Sequence, residues 1–187
     1  MFERFRRNNS KAESDKPDEQ EAKFAADAVE IEKIDTAVFT VETVPGASLK
    51  EIIALAGVTN IDPRITEENF PSRERPSSSK MQVIGSIRDS FIEDTLDDLK
   101  KDERHPATIH DLLEFMPQCP EVVWRLYALG SLLGEGGEKF CVKIEKKEGN
   151  VSLSLEQLGN EAYRDGITHY YTPWPASLLA VKNTPKK

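Results

Sequence analysis

The chain has 187 residues, of which 38% are hydrophobic and 31% charged, and its formal net charge is −8. This length favours a single domain, and the acidic balance argues against nucleic acid as a partner because phosphate backbones are repelled. The sequence contains no run of about 20 apolar residues that would span a membrane, and its N-terminus has no apolar segment typical of a secretory signal. We therefore expect an acidic, cytoplasmic protein.

The N-terminal arm (1–23) is expected to be flexible, with a tip that binds a partner. Residues 8–23 contain no large apolar side chain, so burial cannot offset the entropy lost on ordering. The tip combines aromatic and basic residues, namely Phe2, Arg4, Phe5, Arg6 and Arg7. Two aromatic residues three positions apart share one face of a helical turn, which favours docking to a groove on a protein. Two alternatives stay open: attachment to an anionic membrane surface, and two incidental phenylalanines without a role.

The rest of the chain is expected to form a single α+β domain at 24–181, followed by a basic tail at 182–187. Within the domain, residues 59–80 lack hydrophobic periodicity and contain several prolines. A segment of this length without a pattern is typical of a functional or disordered loop, so we expect a mobile loop there.

Local signals predict the first strand and the first helix of the domain. β-Branched and aromatic residues alternate over 36–44, which predicts a strand. Ser48 and Glu51 have the spacing of a helix capping box, and Gly57 suits the position just after a helix. The sequence therefore predicts a short helix over 48–57.

The middle of the chain is interpreted as a helical block, 86–133. Amphipathic spacing and proline positions predict three helices in it, over 86–101, 108–116 and 120–133. The third segment is apolar nearly all round, which is typical of a helix at the centre of a core or at an oligomer interface. An oligomer through 120–133 is therefore one expectation.

Strict alternation predicts a β-hairpin over 139–155. Apolar side chains alternate along 139–145 and again along 151–155, and a Glu-Gly-Asn turn separates the two runs. Capping-box spacing predicts a further helix over 154–166, and aromatic residues predict a last strand over 167–171. The expected fold is thus an antiparallel sheet, with the hairpin packed against the helical block.

The sequence offers no motif for a metal ion or a cofactor. Its three histidines and two cysteines have neither the C-x₂-C nor the H-E-x-x-H spacing. The glycines at 134, 136 and 137 precede a predicted strand, whereas a loop that binds phosphate precedes a helix. We expect no metal and no cofactor.

Cys119 is the candidate nucleophile. It lies just ahead of a predicted helix N-terminus, an environment that lowers the pKa of a thiol. His110, on the preceding predicted helix, is the candidate base. The alternative is that Cys119 only caps that helix between two prolines.

The C-terminal aromatic segment is the candidate interaction surface of the domain. Tyr170, Tyr171 and Trp174 lie close together among prolines, and aromatic rings contribute strongly to protein interfaces. These rings can equally cover the open edge of the core. We expect a non-enzymatic protein-binding, adaptor or assembly protein that docks partners through its arm and this surface. The alternative is a small cysteine-dependent or cofactor-free enzyme that uses Cys119.

Overall fold

The computed structural model describes residues 37–72, 74–87, 92–122, 125–162, 168–171 and 176–182. The residues of the N-terminal tip (Phe2, Arg4, Phe5, Arg6 and Arg7) and Trp174 lie outside the described residues. The described elements are β1 (Val38–Glu42), α1 (Leu49–Leu55), β2 (Asn60–Ile61), β3 (Ser78–Ile87), α2 (Ile92–Lys101), β4 (Arg104–Pro106), α3 (Ile109–Gln118), β5 (Arg125–Glu135), β6 (Glu138–Lys147), β7 (Asn150–Gln157), β8 (Gly159–Ala162), β9 (Thr168–Tyr171) and β10 (Ala176–Lys182).

In the described part of the chain, eight strands form one sheet in the order β1–β3–β10–β5–β6–β7–β2, and β4 also pairs with β10. Neighbouring strands are antiparallel, except that β10 is parallel to β5 and β2 is parallel to β7. β6 and β7 pair antiparallel, with Lys147 opposite Asn150. Strands β8 and β9 form a separate two-stranded sheet. The α+β class predicted from the sequence is confirmed.

The large sheet separates two apolar clusters. Successive residues of a strand point to opposite faces, and here they fall into different clusters. Leu179 and Ala128 belong to the larger cluster, which includes side chains of α1 and α3. Leu178 and Tyr127 belong to the smaller one, which includes Ile92 of α2. The central strands β5 and β10 are therefore buried on both faces.

The predicted helix over 120–133 is wrong, because this segment contains β5. Four successive residues, Leu126 to Leu129, are all buried between the two clusters. A strand buried on both faces gives a continuous apolar run, which periodicity alone does not distinguish from a buried helix. The segment at which an oligomer interface was expected is therefore a central strand of the sheet, flanked by β10 and β6.

Four further corrections apply to the predicted elements. Ser86 lies in β3, and the helix that it was expected to begin is described only from Ile92. The predicted helix over 154–166 is wrong, because β7 and β8 occupy its described part. Lys182, the first residue of the expected tail, is the last residue of β10. Strand β10 itself was missed, because Leu178 to Val181 are all buried and form no alternating pattern.

The segment 59–80 contains β2 and the beginning of β3, and it buries Ile65 and Phe70 in the larger cluster. Arg64 holds this segment against the sheet. Its guanidinium makes two hydrogen bonds to Asp62, at 3.1 and 2.9 Å, and a third to Glu135, at 3.2 Å. The Arg64 guanidinium also holds the pKa of the Asp62 carboxyl below its usual value.

Helix α1 begins where its capping residues predict, and α3 begins one residue after the start of its predicted segment. Ser48 and Glu51 form the predicted capping box of α1. α3 runs two residues beyond the end of the predicted segment 108–116, and Thr108 and Asp111 form its own capping box. Such reciprocal bonds satisfy backbone N–H groups that the first turn leaves without a partner. The first turn of α3 is thereby fixed beside β5.

Candidate functional site

A cleft of about 730 Å³ opens beside the N-terminal end of α3. The loop before β3, strands β3, β4, β5 and β10, and the first turn of α3 line it. We call it the α3 cleft. Its volume is within the range of about 300–1,000 Å³ that is usual for binding sites. The lining residues with polar chemistry are Asn69, Glu74, Arg75, Ser79, His105, Thr108, His110, Asp111, Ser131 and Lys182.

A bulge in β5 forms one wall of the cleft. The pairing of β5 with β6 shifts register between Ala128 and Leu132. In this bulge, the Gly130 N–H donates to the Ala107 carbonyl at 2.9 Å. Ser131 Oγ accepts the N–H of Ile109, the first residue of α3, at 2.8 Å. The bulge therefore positions the start of α3, and bulges often serve to aim side chains at a site.

The N-terminus of α3 is satisfied within the protein. Asp111 Oδ2 accepts the Thr108 N–H at 2.8 Å and the Thr108 hydroxyl at 2.7 Å. The Thr108 hydroxyl in turn accepts the Asp111 N–H at 3.3 Å. Asp111 is 7% exposed, and its hydrogen bonds come from the neutral donors of the capping box. Its negative charge therefore stays in the wall of the cleft.

A buried ion pair forms the second wall. Arg75 donates through Nη1 to Oε2 of Glu114, and their side chains are 10% and 4% exposed. Glu114 Oε1 also accepts the N–H of Val44 at 2.8 Å. One carboxylate thus connects the loop before β3, helix α3 and the end of β1. Nε of Arg75 has no hydrogen-bond partner among the described residues.

His110 fastens α3 to the same loop. Its Nε2 lies 3.2 Å from the hydroxyl of Ser72, and that hydroxyl lies 3.3 Å from the carbonyl oxygen of Ala47. A carbonyl only accepts, so the Ser72 hydroxyl donates to Ala47, and Nε2–H of His110 donates to Ser72. The His110 side chain is 4% exposed. Its role in this geometry is to tie helix and loop together.

Two exposed residues at the sheet, His105 in β4 and Lys182 at the end of β10, are also among the lining residues. Val181 pairs with His105 and Lys182 pairs with Arg104, so the side chains of His105 and Lys182 point to opposite faces of the sheet. The His105 side chain is on the face of Val181, which belongs to the larger cluster beside α3. The Lys182 side chain is on the face of Leu178, which belongs to the smaller cluster. Sequence reasoning missed this site, although Glu114, a charged residue on an otherwise apolar helix face, is a signal that a buried partner exists.

The structure does not bring Cys119 and His110 together. His110 is in the first turn of α3, and Cys119 follows the last residue of the same helix. They are nine positions apart along the helix axis, which is about 13.5 Å at 1.5 Å per residue. The Cys119 N–H donates to the Phe115 carbonyl at 3.0 Å, so Cys119 caps a helix C-terminus. This differs from the expected position ahead of a helix N-terminus, where a thiolate would be favoured.

Both cysteine thiols are buried, and burial raises their pKa. For Cys119 desolvation is the larger cause and the charge of Glu121 the smaller one. For Cys141 desolvation, with the charge of Glu156, raises the pKa to about 12. The thiolate is the reactive form, so both side chains are poor nucleophiles at neutral pH.

We expect iodoacetamide to label neither Cys119 nor Cys141 readily in the folded chain at pH 7.5. The rate for each residue should be at least about tenfold below that of the same chain in urea, since both thiols are buried and mostly protonated. Mass spectrometry of timed samples gives the rate for each residue. Rapid, stoichiometric labelling of Cys119 in the folded chain would contradict this expectation.

The expected aromatic surface is described only in part. The Tyr170 hydroxyl donates to the Gly137 carbonyl at 3.2 Å, and Lys139 Nζ lies 4.2 Å from the ring centroid. Tyr170 therefore packs against the turn between β5 and β6. Of Tyr171 only the backbone is described, in its pair with Gly159. Trp174 lies outside the described residues.

Comparison with known proteins does not assign the chain to a family. No protein-family model, no curated protein and no solved structure matches the chain. Among the described residues, no three His, Cys, Asp or Glu side chains are grouped so that they could hold a metal ion. None of the described helices has the length and apolar character needed to cross a membrane.

Proposed function

We propose that the chain is a non-enzymatic adaptor that binds a protein partner through the α3 cleft of its domain. The observation that carries this proposal is the cleft itself, a cavity of about 730 Å³ with both apolar and charged lining. Pro71, Pro76 and Leu132 supply apolar surface, and the exposed residues Glu74 and His105 supply polar groups. Apolar walls with a few placed polar groups are typical of binding sites.

The walls of the α3 cleft are joined by contacts that exist without a ligand. Glu114 bonds to Arg75 and to the backbone of Val44, and Ser131 bonds to the first N–H of α3. A preformed site binds more tightly because little ordering entropy is lost on association. This rigidity supports a binding role for the cleft.

The N-terminal arm is the second docking element of the proposal. Its support is the sequence alone: Phe2 and Phe5 at the tip, three arginines beside them, and a polar linker. Two linked contacts raise the effective concentration of the second binding event. An adaptor of this kind would hold one partner at the cleft and another at the tip. The alternative function, an enzyme that uses Cys119, is tested by the labelling experiment above.

Affinity capture with the full chain tests the proposal. His105→Trp places a large ring at the mouth of the cleft, and Asp97→Trp places the same ring on the exposed face of α2 as a matched control. We expect a stoichiometric protein partner with the unchanged chain and with Asp97→Trp, and its loss with His105→Trp. Equal melting temperatures of the two variants would show that the loss is not a folding defect.

The arm is tested in the same experiment. Replacing both Phe2 and Phe5 with serine should release a second captured protein and leave the melting temperature unchanged. Retention of every partner by His105→Trp would contradict the role of the cleft. Retention of every partner by the double serine variant would contradict the role of the arm. If the unchanged chain captures no protein stoichiometrically, the adaptor function itself is wrong.

A further inference from the structure

Two carboxylates in the wall of the α3 cleft have no positive partner among the described residues. Glu74 is exposed and forms no ion pair in the described part of the chain. Asp111 accepts hydrogen bonds from the N–H and the hydroxyl of Thr108, and both of these donors are neutral. The positive end of the α3 dipole offsets only about half a unit charge. Together the two carboxylates therefore keep most of their negative charge.

The cations among the lining residues do not neutralise these charges. Arg75 is already paired with Glu114, whose side chain is 4% exposed. Lys182 is opposite Arg104 in the sheet, so its side chain lies on the face of the smaller cluster, whereas α3 packs on the other face. The described lining of the cleft is therefore net negative.

The free hydrogen-bonding atoms of the cleft are acceptors. Both capping bonds of Asp111 go to Oδ2, and Oδ1 accepts none from the described residues. His105 Nδ1 lies 3.3 Å from the Pro106 carbonyl oxygen. A carbonyl only accepts, so Nδ1 carries the hydrogen and Nε2 of the neutral ring is an acceptor. The carboxylate of Glu74 adds two more oxygens. A ligand that brings charged N–H donors would match this set.

We infer that the partner segment held in the α3 cleft is a basic peptide, an inference that rests on the proposed function. A lysine or arginine side chain in the cleft would donate to Oδ1 of Asp111, and a second one would pair with Glu74. Hydrogen bonds between charged groups are the strong ones, and the 7% exposure of Asp111 limits screening by water. Pro71 and Leu132 would contact the apolar stems of these side chains. The net charge of −8 also attracts a basic segment at long range.

Two pairs of carboxylates provide matched controls. Asp111 belongs to the capping box of α3 and Glu51 to that of α1, and only Asp111 lines the cleft. Glu74 and Glu68 are both exposed residues of the segment before β3, and only Glu74 lines the cleft. Asp111→Asn, Glu51→Gln, Glu74→Gln and Glu68→Gln each remove one negative charge and keep a side-chain oxygen. A general charge effect would therefore act equally on both members of a pair.

Fluorescence polarisation measures binding of a fluorescein-labelled octapeptide of alternating lysine and alanine, titrated with the full chain at physiological ionic strength. An octapeptide of alternating glutamine and alanine is the uncharged control. We expect Asp111→Asn to weaken binding of the lysine peptide about tenfold, the loss of one charge-assisted hydrogen bond. Glu74→Gln should weaken it about threefold, because the charge of Glu74 is exposed and screened. Glu51→Gln and Glu68→Gln should change the Kd by less than about twofold.

Thermal unfolding of each variant separates a loss of binding from a loss of structure. If Asp111→Asn does not fold, the comparison of Glu74→Gln with Glu68→Gln decides the question, because both positions are exposed.

Four outcomes would overturn the inference. The first is equal binding of the lysine and glutamine peptides, or binding of neither. The second is an equal effect of the two substitutions within each pair. The third is unchanged binding of the lysine peptide by His105→Trp, which would place the peptide outside the cleft. The fourth is free lysine that competes as strongly as the peptide, which would indicate a site for a small cation. Partner capture that is lost with His105→Trp while the lysine peptide fails to bind would reject this inference alone and leave the proposed function in place.

Discussion

Replacing Glu114 with alanine is expected to lower the free energy of unfolding by about 3–5 kcal/mol. The change removes the partner of Arg75, whose side chain is only 10% exposed, and leaves that charge buried without a counter-ion. It also removes the acceptor of the Val44 N–H. Breaking one side of a buried pair costs far more than an ordinary surface substitution, because the remaining charge stays desolvated.

Urea unfolding followed by circular dichroism measures this effect. Asp98→Ala is the matched control, since Asp98 also forms an ion pair, with Lys101, but both side chains are more than 70% exposed. We expect no measurable change for this control, because exposed pairs contribute little. Glu114→Gln should lie between the two, because it keeps an acceptor for Val44 and loses the charge. Equal effects of Glu114→Ala and Asp98→Ala would show that Arg75 is satisfied in another way.

Replacing Gly130 with alanine is expected to destabilise the fold by about 3 kcal/mol. A Cβ atom at this position would lie 2.6 Å from the Pro106 carbonyl oxygen and 2.7 Å from that of Ala107. Both are backbone atoms, so the segment that leads into α3 would have to move. That movement would weaken the bond between Ser131 and the first N–H of α3 and distort the α3 cleft.

Gly134→Ala is the control for this prediction. Gly134 lies in the same strand, and a Cβ atom there would meet nothing closer than 4.0 Å. Thermal unfolding of both variants should show a large fall in melting temperature for Gly130→Ala and a small change for Gly134→Ala. If both variants melt together, the close approach of β5 to residues 106 and 107 is not a constraint on the fold.

Local signals in the sequence predicted those parts of the fold that local interactions determine. The capping box of Ser48 and Glu51 located α1, and the second predicted helix located α3. The alternation of apolar residues over 139–155 coincides with the strands β6 and β7. In α1 and β7 the buried residues are separated by more exposed ones, so the pattern reports the structure, whereas α3 is buried from Ile109 to Met116.

The central strands and the cleft are set by contacts between distant residues, which the sequence does not show. β5 and β10 are buried on both faces, so their apolar residues carry no period. Arg75 and Glu114 are separated by 39 positions, and Val44 and Glu114 by 70. The position of Cys119 was misjudged for the same reason, because the helix expected after it is a strand.

The place of β10 in the sheet also constrains how the chain acquires its structure. β10 follows every other strand of the sheet in sequence, yet it lies between β3 and β5 and joins the two halves. During synthesis, the half with β1 and β3 and the half with β5, β6 and β7 both emerge before the strand that connects them. Contacts between distant segments form slowly, and strand edges are prone to aggregate until they pair with their neighbouring strand. A nascent chain that stalls before residue 176 would therefore be a substrate for chaperones, with two incomplete sheets whose central edges are unpaired.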